Sequence, residues 1–109
     1  MGRIEVELEE EVVQWIMKLH TAEFIVADRH IELLREFGHQ LRLPHSRHLG
    51  EGLLELRFTM NRDQWRITYW FAPAGTIVLL TVFRKQRNNE HTEIARARQV
   101  LKTCQQDHL

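Results

Sequence analysis

Cysteine is almost absent from this sequence. Cys104 is the single cysteine among 109 residues, so an internal disulfide and a zinc site framed by cysteine pairs are both excluded. The chain also lacks a run of about 18 apolar residues, the length that a membrane span requires. Met1 to Glu11 instead alternates acidic and apolar side chains. We therefore expect a soluble, cytoplasmic protein that has no contact with a membrane.

The motifs of several enzyme classes are missing as well. The sequence contains no glycine-rich phosphate loop and no nucleophile elbow. Its seven histidines include His45 and His48, which are three residues apart, but a catalytic metal site needs three ligands and usually a carboxylate. We expect neither a metal ion nor another cofactor.

The composition is that of one ordinary folded domain spanning residues 1–109, with 43% hydrophobic and 28% charged residues. The net charge of zero hides an asymmetry. Residues 1–40 carry four basic and nine acidic side chains, a balance of −5, whereas residues 41–109 carry eleven basic and six acidic ones, a balance of +5. The basic half is where an anionic ligand would bind, unless the charges merely solvate the helices.

Hydrophobic periodicity predicts two amphipathic helices before residue 38. The first has apolar residues at steps of three and four: Leu8, Val12, Trp15, Ile16 and Leu19. The second is expected to begin at Thr21 as its N-cap and to stop at Gly38, with this apolar face: Phe24, Ala27, Ile31, Leu34 and Phe37.

Strand patterns follow a loop predicted from His39 to Gly52. Short turns separate three runs, which predict an antiparallel meander: Leu53 to Met60, Trp65 to Phe71 and Thr76 to Phe83. The last run is apolar on both faces, as expected for a covered strand. A C-terminal helix is predicted from Glu90 to Lys102 with Asn89 as N-cap, and an optional short strand from Arg3 to Glu7. The expected fold is α+β, with the helices on one face of the sheet.

One face of the predicted meander is rich in cations. Arg57 and Arg66 flank a short turn, so they should be neighbours across the ladder. Like charges at that distance repel, and a phosphate between them would be bound by both guanidinium groups. The alternative is that Glu55 and Glu51 neutralise them.

Further candidates lie near this basic face. Lys85 follows the third strand, and Arg47 lies in the loop before the first. His91, at the start of the last helix, is a candidate for proton transfer. Trp70 is predicted on the arginine face, where it would stack on a base.

Several segments together resemble a known family. They are Leu43 to Arg57, with its Leu-Gly-Glu-Gly-Leu-Leu-Glu-Leu-Arg run, Trp65 to Phe71, Ile77 to Lys85 and Glu93 to Ala97. In order and spacing, over about residues 41–100, they resemble the phage-derived HigB-like branch of the RelE/ParE toxin superfamily.

The resemblance implies a RelE-like fold and the toxin of a type II toxin-antitoxin system. Such toxins are mRNA interferases, usually acting on messenger RNA in the ribosome, and are held inactive by an antitoxin, often a helix-turn-helix protein, in a heterotetramer. Cleavage needs no metal, because a ribose 2′-hydroxyl attacks the adjacent phosphate and leaves a cyclic phosphate.

The family's roles carry over to matching positions. The resemblance assigns Arg66 to the scissile phosphate, Lys85 to charge stabilisation and His91 to proton transfer. The residues expected to contact RNA are Arg47, Arg57, Arg84, Arg87 and Trp70. Glu55 departs from the pattern, because it occupies a position where some ribonucleolytic relatives carry a lysine.

Two other functions remain open at this stage. A toxin of the same fold can poison DNA gyrase by binding it, and fold alone does not separate that activity from RNA cleavage. An inactive relative that serves only as an antitoxin-binding module would also fit the neutral net charge.

Overall fold

The computed structural model describes residues 3–108 as an α+β domain. The strands are β1 (Val6–Leu8), β2 (Ser46–Gly50), β3 (Leu53–Met60), β4 (Asp63–Phe71) and β5 (Ile77–Arg84). The helices are α1 (Glu10–Met17), α2 (Thr21–Phe37) and α3 (Glu90–Asp107). Among these residues, no helix has both the length and the apolarity needed to span a membrane. The predicted fold class and order of the main elements are confirmed.

The five strands form one sheet in the order β1-β5-β4-β3-β2. β3, β4 and β5 pair antiparallel, which confirms the predicted meander. The optional N-terminal strand is present as β1, and it pairs parallel with β5, so that Val6 lies opposite Ile77. β5 is an interior strand of a sheet that has a core on each face, which explains its apolar residues on both sides.

β2 was not predicted, and the prediction of an irregular loop over His39 to Gly52 is wrong in its second half. Ser46–Gly50 pairs antiparallel with β3, and Ser46 lies opposite Leu56. Glu51 and Gly52 turn the chain with φ angles of 53° and 84°, a left-handed pair typical of a two-residue hairpin turn. The strand escapes a periodicity search because it is short and most of its residues are exposed.

Helices cover both faces of the sheet, which corrects the expectation that they share one face. α1 and α2 pack on one face through Val12, Ala27, Ile31 and Leu34. α3 packs on the other face through the buried side chains Ala97, Leu101 and Cys104. The period of two along each strand therefore separates two cores, and the arginine face is the one beneath α3.

The ends of α2 are fixed by local hydrogen bonds and by glycine. His20, rather than the predicted Thr21, is the N-cap residue, and its N–H donates to the Glu23 carboxylate over 2.9 Å. Gly38 ends the helix, as predicted, with a φ of 51°. A Cβ at this position would clash with Ile4 Cδ1, so the N-terminal segment and α2 meet at the glycine.

Candidate active site

Arg57 and Arg66 are direct cross-strand partners of β3 and β4, as the turn between the strands predicts. Both side chains project from the face that carries α3, because the pairing fixes them on the same side of the pleat. Their exposure differs: 27% of the Arg57 side chain is accessible, whereas Arg66 is 2% exposed. A burial this deep is unusual for an arginine and requires a counter-charge.

Glu55 supplies that counter-charge. Its side chain is fully buried, and its Oε2 lies 3.7 Å from Nε of Arg57 and 3.7 Å from Nε of Arg66. These separations are ion-pair contacts but are too long for charge-assisted hydrogen bonds, which are about 2.7–2.9 Å long. Within residues 3–108, neither Glu55 oxygen nor either Nε atom has a hydrogen-bond partner. The cluster is therefore buried but incompletely bonded.

Burial disfavours the charged forms of Glu55 and Arg66. Burial raises the pKa of Glu55 above the ordinary value, even though the Arg66 guanidinium acts in the opposite direction. Burial also lowers the pKa of Arg66, and the neighbouring Arg57 charge adds to the effect. Because the ionised form of each partner is penalised, the free protein holds these charges at a cost in stability.

Two more charged residues border the cluster. Arg47 of β2 is the register partner of Glu55, and Glu90 is the first residue of α3. Both act on the pKa of Glu55 and of Arg66. The structure thus brings Arg47 to the site as predicted. Glu55 and Glu90 supply the nearby negative charge, whereas Glu51, the other predicted neutralising group, lies in the exposed β2–β3 turn.

Lys85 and His91 lie near the same end of the sheet. Phe83 is the register partner of Arg66, and the Lys85 N–H continues the ladder by donating to the Gln64 carbonyl over 2.7 Å. His91 is exposed and follows Glu90 directly. The proposed proton-transfer group therefore lies in the first turn of α3, next in the chain to Glu90, which acts on the pKa of Glu55 and of Arg66.

The connection between β5 and α3 is held by Asn89. Its side chain does not cap α3; the Nδ2 group donates to the Arg84 carbonyl and Oδ1 accepts from the Gln86 N–H, each over 2.9 Å. These two bonds tie the end of the strand to the first turn of the helix. They therefore fix the position of the first turn of α3, which contains Glu90 and His91.

Two predicted RNA-contacting residues, Trp70 and Arg84, are covered or lie on the other face. Trp70 is 8% exposed and packs beneath α3, where its indole N–H donates to Cys104 Sγ over 3.3 Å. Its burial corrects the expectation of a surface ring that stacks on bases. Arg84 pairs with Trp65 on the opposite sheet face and contacts Asp63 at 3.5 Å. Arg87 is exposed in the β5–α3 connection.

Glu55 is the residue whose importance the sequence reading missed. The sequence predicts a neutralising charge and a departure from a family pattern at this position, whereas in the structure Glu55 Oε2 lies 3.7 Å from Nε of both Arg57 and Arg66. A signal was present in the sequence. A carboxylate between leucines in the Leu53-Leu54-Glu55-Leu56 run has to be buried on one face of a strand, where it needs basic partners.

Comparison with known families agrees with this fold. A model described as phage derived protein Gp49-like (DUF891) matches residues 14–102. The chain belongs to the Gp49-like family. This membership confirms the prediction of a phage-derived family.

A solved structure shows the same fold. It is the Escherichia coli toxin RelE, an arginine-to-alanine double mutant in the free state, with 10% sequence identity and a TM-score of 0.60. The match covers 89% of this chain and 94% of that chain. A search of curated proteins gives no match. The Gp49-like chain therefore shares the RelE architecture at very low sequence identity.

Proposed function

We propose that this Gp49-like protein is the toxin of a type II toxin-antitoxin system and that it cleaves messenger RNA without a metal ion. The observation that carries the proposal is the buried, incompletely bonded arginine pair around Glu55 on the sheet of a RelE fold. The toxin RelE has the same fold. A phosphate would give the Nε–H groups of both arginines the hydrogen bonds that they lack in the free protein, where Arg66 Nη1 donates to the Trp65 carbonyl over 3.0 Å.

The arginines bind the scissile phosphate. Arg57 keeps 27% of its side chain accessible, so the phosphate enters beside it and reaches the deeper Arg66. The two cations stabilise the additional negative charge that develops when the 2′-hydroxyl oxygen attacks phosphorus. Lys85 adds positive charge from the end of β5.

Two proton transfers accompany the attack. Glu55 accepts the proton of the 2′-hydroxyl, and its raised pKa makes the carboxylate a stronger base than an exposed glutamate. His91 donates a proton to the 5′-oxygen as the phosphorus–oxygen bond to it breaks. The products are a 2′,3′-cyclic phosphate and a 5′-hydroxyl end, so neither an oxidant nor a cofactor is consumed.

The same proposal defines the partners. The toxin acts in the cytoplasm on messenger RNA held by the ribosome, where Arg47 and Arg87 contact the RNA backbone. A cognate antitoxin, a helix-turn-helix protein, inhibits it within a heterotetramer. The acidic α2 and the basic sheet face are two distinct surfaces that such a partner could cover.

The test is controlled expression of wild type and three variants. Arg66→Ala and His91→Ala are the test variants, and Arg29→Ala, an exposed position on α2, is the matched control. We expect growth arrest and cleaved transcripts for wild type and for the control. Arg66→Ala should lose about 3 kcal/mol or more of transition-state stabilisation, a reduction in cleavage of at least about a hundredfold.

The outcomes separate the competing functions. Growth arrest with intact transcripts and broken DNA would identify a gyrase poison instead. The absence of growth arrest and of RNA cleavage, in wild type that is folded and expressed, would favour an antitoxin-binding module. Mapping the 5′ ends of the transcripts then tests whether cleavage follows the reading frame of the ribosome.

A further inference from the structure

A groove of about 460 Å³ opens beside Arg57, at the edge of the sheet where β2 begins. β2 pairs with β3 only as far as Leu56, which lies opposite Ser46, and β3 continues from there to Met60 without a further register partner in β2. The residues that matter for its chemistry are His30, His45, Arg57, Phe58, Thr59 and Gln64. Of the arginine cluster only Arg57 lines the groove, whereas His30 and Phe58 belong to the α2 side of the sheet, so the groove lies at the open edge of β3 between the two faces.

One wall of the groove is built from rings. The His30 imidazole stacks on Phe58 with centroids 5.0 Å apart and an angle of 21° between the planes. The His45 ring follows, with its centroid 6.1 Å from that of His30. Phe58 is buried and supports the His30 ring from behind, so the imidazoles of His30 and His45 are the partly exposed rings, and proteins stack unpaired RNA bases on ring faces of this kind.

The wall also presents hydrogen-bonding groups. His30 Nδ1 donates to the Val26 carbonyl over 2.8 Å, which fixes the proton on that nitrogen and leaves Nε2 for a ligand. Gln64 Nε2 donates to Thr59 Oγ1 over 3.1 Å, and this bond leaves the Gln64 carbonyl oxygen as an acceptor. A nucleobase has both donors and acceptors along its edge and can use such groups.

The open edge of β3 adds backbone groups. The Arg57 N–H donates to the His45 carbonyl over 2.8 Å, towards the β2 side of the strand. Backbone directions alternate along a strand, so the N–H and C=O of Thr59 face that same side, beyond the last β2–β3 pair. These groups are positioned to bond the edge of a planar ligand lying against the rings.

We infer that this groove binds one nucleobase of the RNA substrate, that of the nucleotide next to the scissile phosphate. Its placement beside the scissile bond rests on the proposed ribonuclease function, because Arg57 borders both the groove and the arginine cluster. The base leaves its stack in the single-stranded RNA and lies against His30 and His45. The groove thereby determines which base precedes or follows the cut.

The first experiment measures binding without cleavage. The imidazole NMR signals of His30 and His45 are followed while the four nucleoside 3′-monophosphates are added, with inorganic phosphate as the probe that has no base. We expect nucleotides to shift both signals and inorganic phosphate to leave them nearly unchanged. Nucleotides that move these signals no more than phosphate does would overturn the inference.

Variants then test the contacts. His45→Ala removes a ring while leaving its backbone bonds, and His48→Ala, an exposed β2 histidine outside the groove, is the matched control. The dissociation constant of the preferred nucleotide should rise about tenfold in His45→Ala and stay unchanged in His48→Ala. An equal effect of both variants, with both folded by thermal unfolding, would contradict the assignment.

Cleavage assays separate this inference from the proposed function. Cleavage is measured on oligoribonucleotides that differ at the bases flanking the cut. The ratio of kcat/KM between the best and the worst substrate should be about tenfold smaller in His45→Ala than in wild type, mainly because of changes in KM. RNA cleavage by wild type without nucleotide-induced shifts at His30 and His45 would refute the groove and leave the ribonuclease intact. Nucleotide binding in the groove without any cleavage would support the groove and refute the ribonuclease.

Discussion

Substituting Glu55 with glutamine should stabilise the free protein while strongly reducing its activity. The carboxylate is fully buried, and each of its two ion-pair contacts is 3.7 Å long. Glutamine keeps the shape of the side chain and removes the charge that burial penalises. The substitution therefore separates the role of Glu55 in the proposed reaction from its contribution to folding.

The direction of the effect follows from two opposing terms. The arginines attract the carboxylate, but burial is the largest influence on Glu55, and it raises the pKa. A short hydrogen bond to a charged group would contribute about 1.5–3 kcal/mol, and neither contact is short enough to form one. We expect Glu55→Gln to raise the free energy of unfolding at neutral pH by at most about 1 kcal/mol, because the Arg66 charge that loses its partner offsets part of the burial penalty that is removed.

The pH dependence provides a stricter check on the same reasoning. Because the folded-state pKa of Glu55 is raised, the folded protein retains a proton that the unfolded chain has released. The ionisation of Glu55 therefore lowers stability as pH rises from its ordinary value of 4.5 through the raised value. Glutamine cannot ionise. The difference in the free energy of unfolding between the variant and wild type should therefore grow with rising pH and become small towards pH 4.5.

Urea denaturation of wild type, Glu55→Gln and Glu51→Gln at several pH values measures these differences. Glu51 lies in the exposed β2–β3 turn and serves as the control, for which we expect little change. Cleavage by Glu55→Gln should fall by about a hundredfold or more, the usual effect of removing a proton-transfer group. A wild type that is more stable than Glu55→Gln at neutral pH would refute the reasoning, because attraction would then outweigh burial.

Two further predictions concern stability away from the site. Gly38→Ala should cost about 1–3 kcal/mol in urea denaturation, because φ is 51° there and a Cβ would meet Ile4; a neutral effect would contradict the backbone argument. Glu11→Ala should lower the free energy of unfolding by about 1 kcal/mol, because the partly buried Val82 N–H loses the carboxylate that accepts its hydrogen bond over 3.0 Å. Arg96→Ala breaks only the partly exposed Glu11–Arg96 ion pair and should lower it by less. Equal losses would mean that the ion pair, rather than the backbone bond, is the stabilising contact.

Much of the fold was predictable because its signals are local. The apolar spacing of α2 and the alternation along β3 and β4 depend on residues a few positions apart, and both elements are confirmed. β2 was missed because its signal is a pairing with β3, and few of its side chains are buried. The position of α3 on the second face was also missed, because a helical stripe does not state which face of a sheet it covers.

The candidate site divides in the same way. The Arg57–Arg66 pairing was predictable, since a short turn fixes the register of the strands on either side of it. The burial of Trp70 was not, because the arginine face is open at one end and covered by α3 at the other. The ring wall of His30 and His45 joins α2 to the segment before β2, and sequence spacing does not indicate that contact.

The sequence by itself determined the α+β class, the meander and the presence of an arginine pair on one sheet face, because these depend on periodicity and on the geometry of a short turn. Only the tertiary structure decided that Glu55 lies buried between those arginines with its hydrogen bonds unmade. That property arises from tertiary packing, which buries the charges while leaving the Glu55 oxygens and the two Nε atoms without hydrogen-bond partners among the described residues. Burial of this kind depends on elements far apart in the chain.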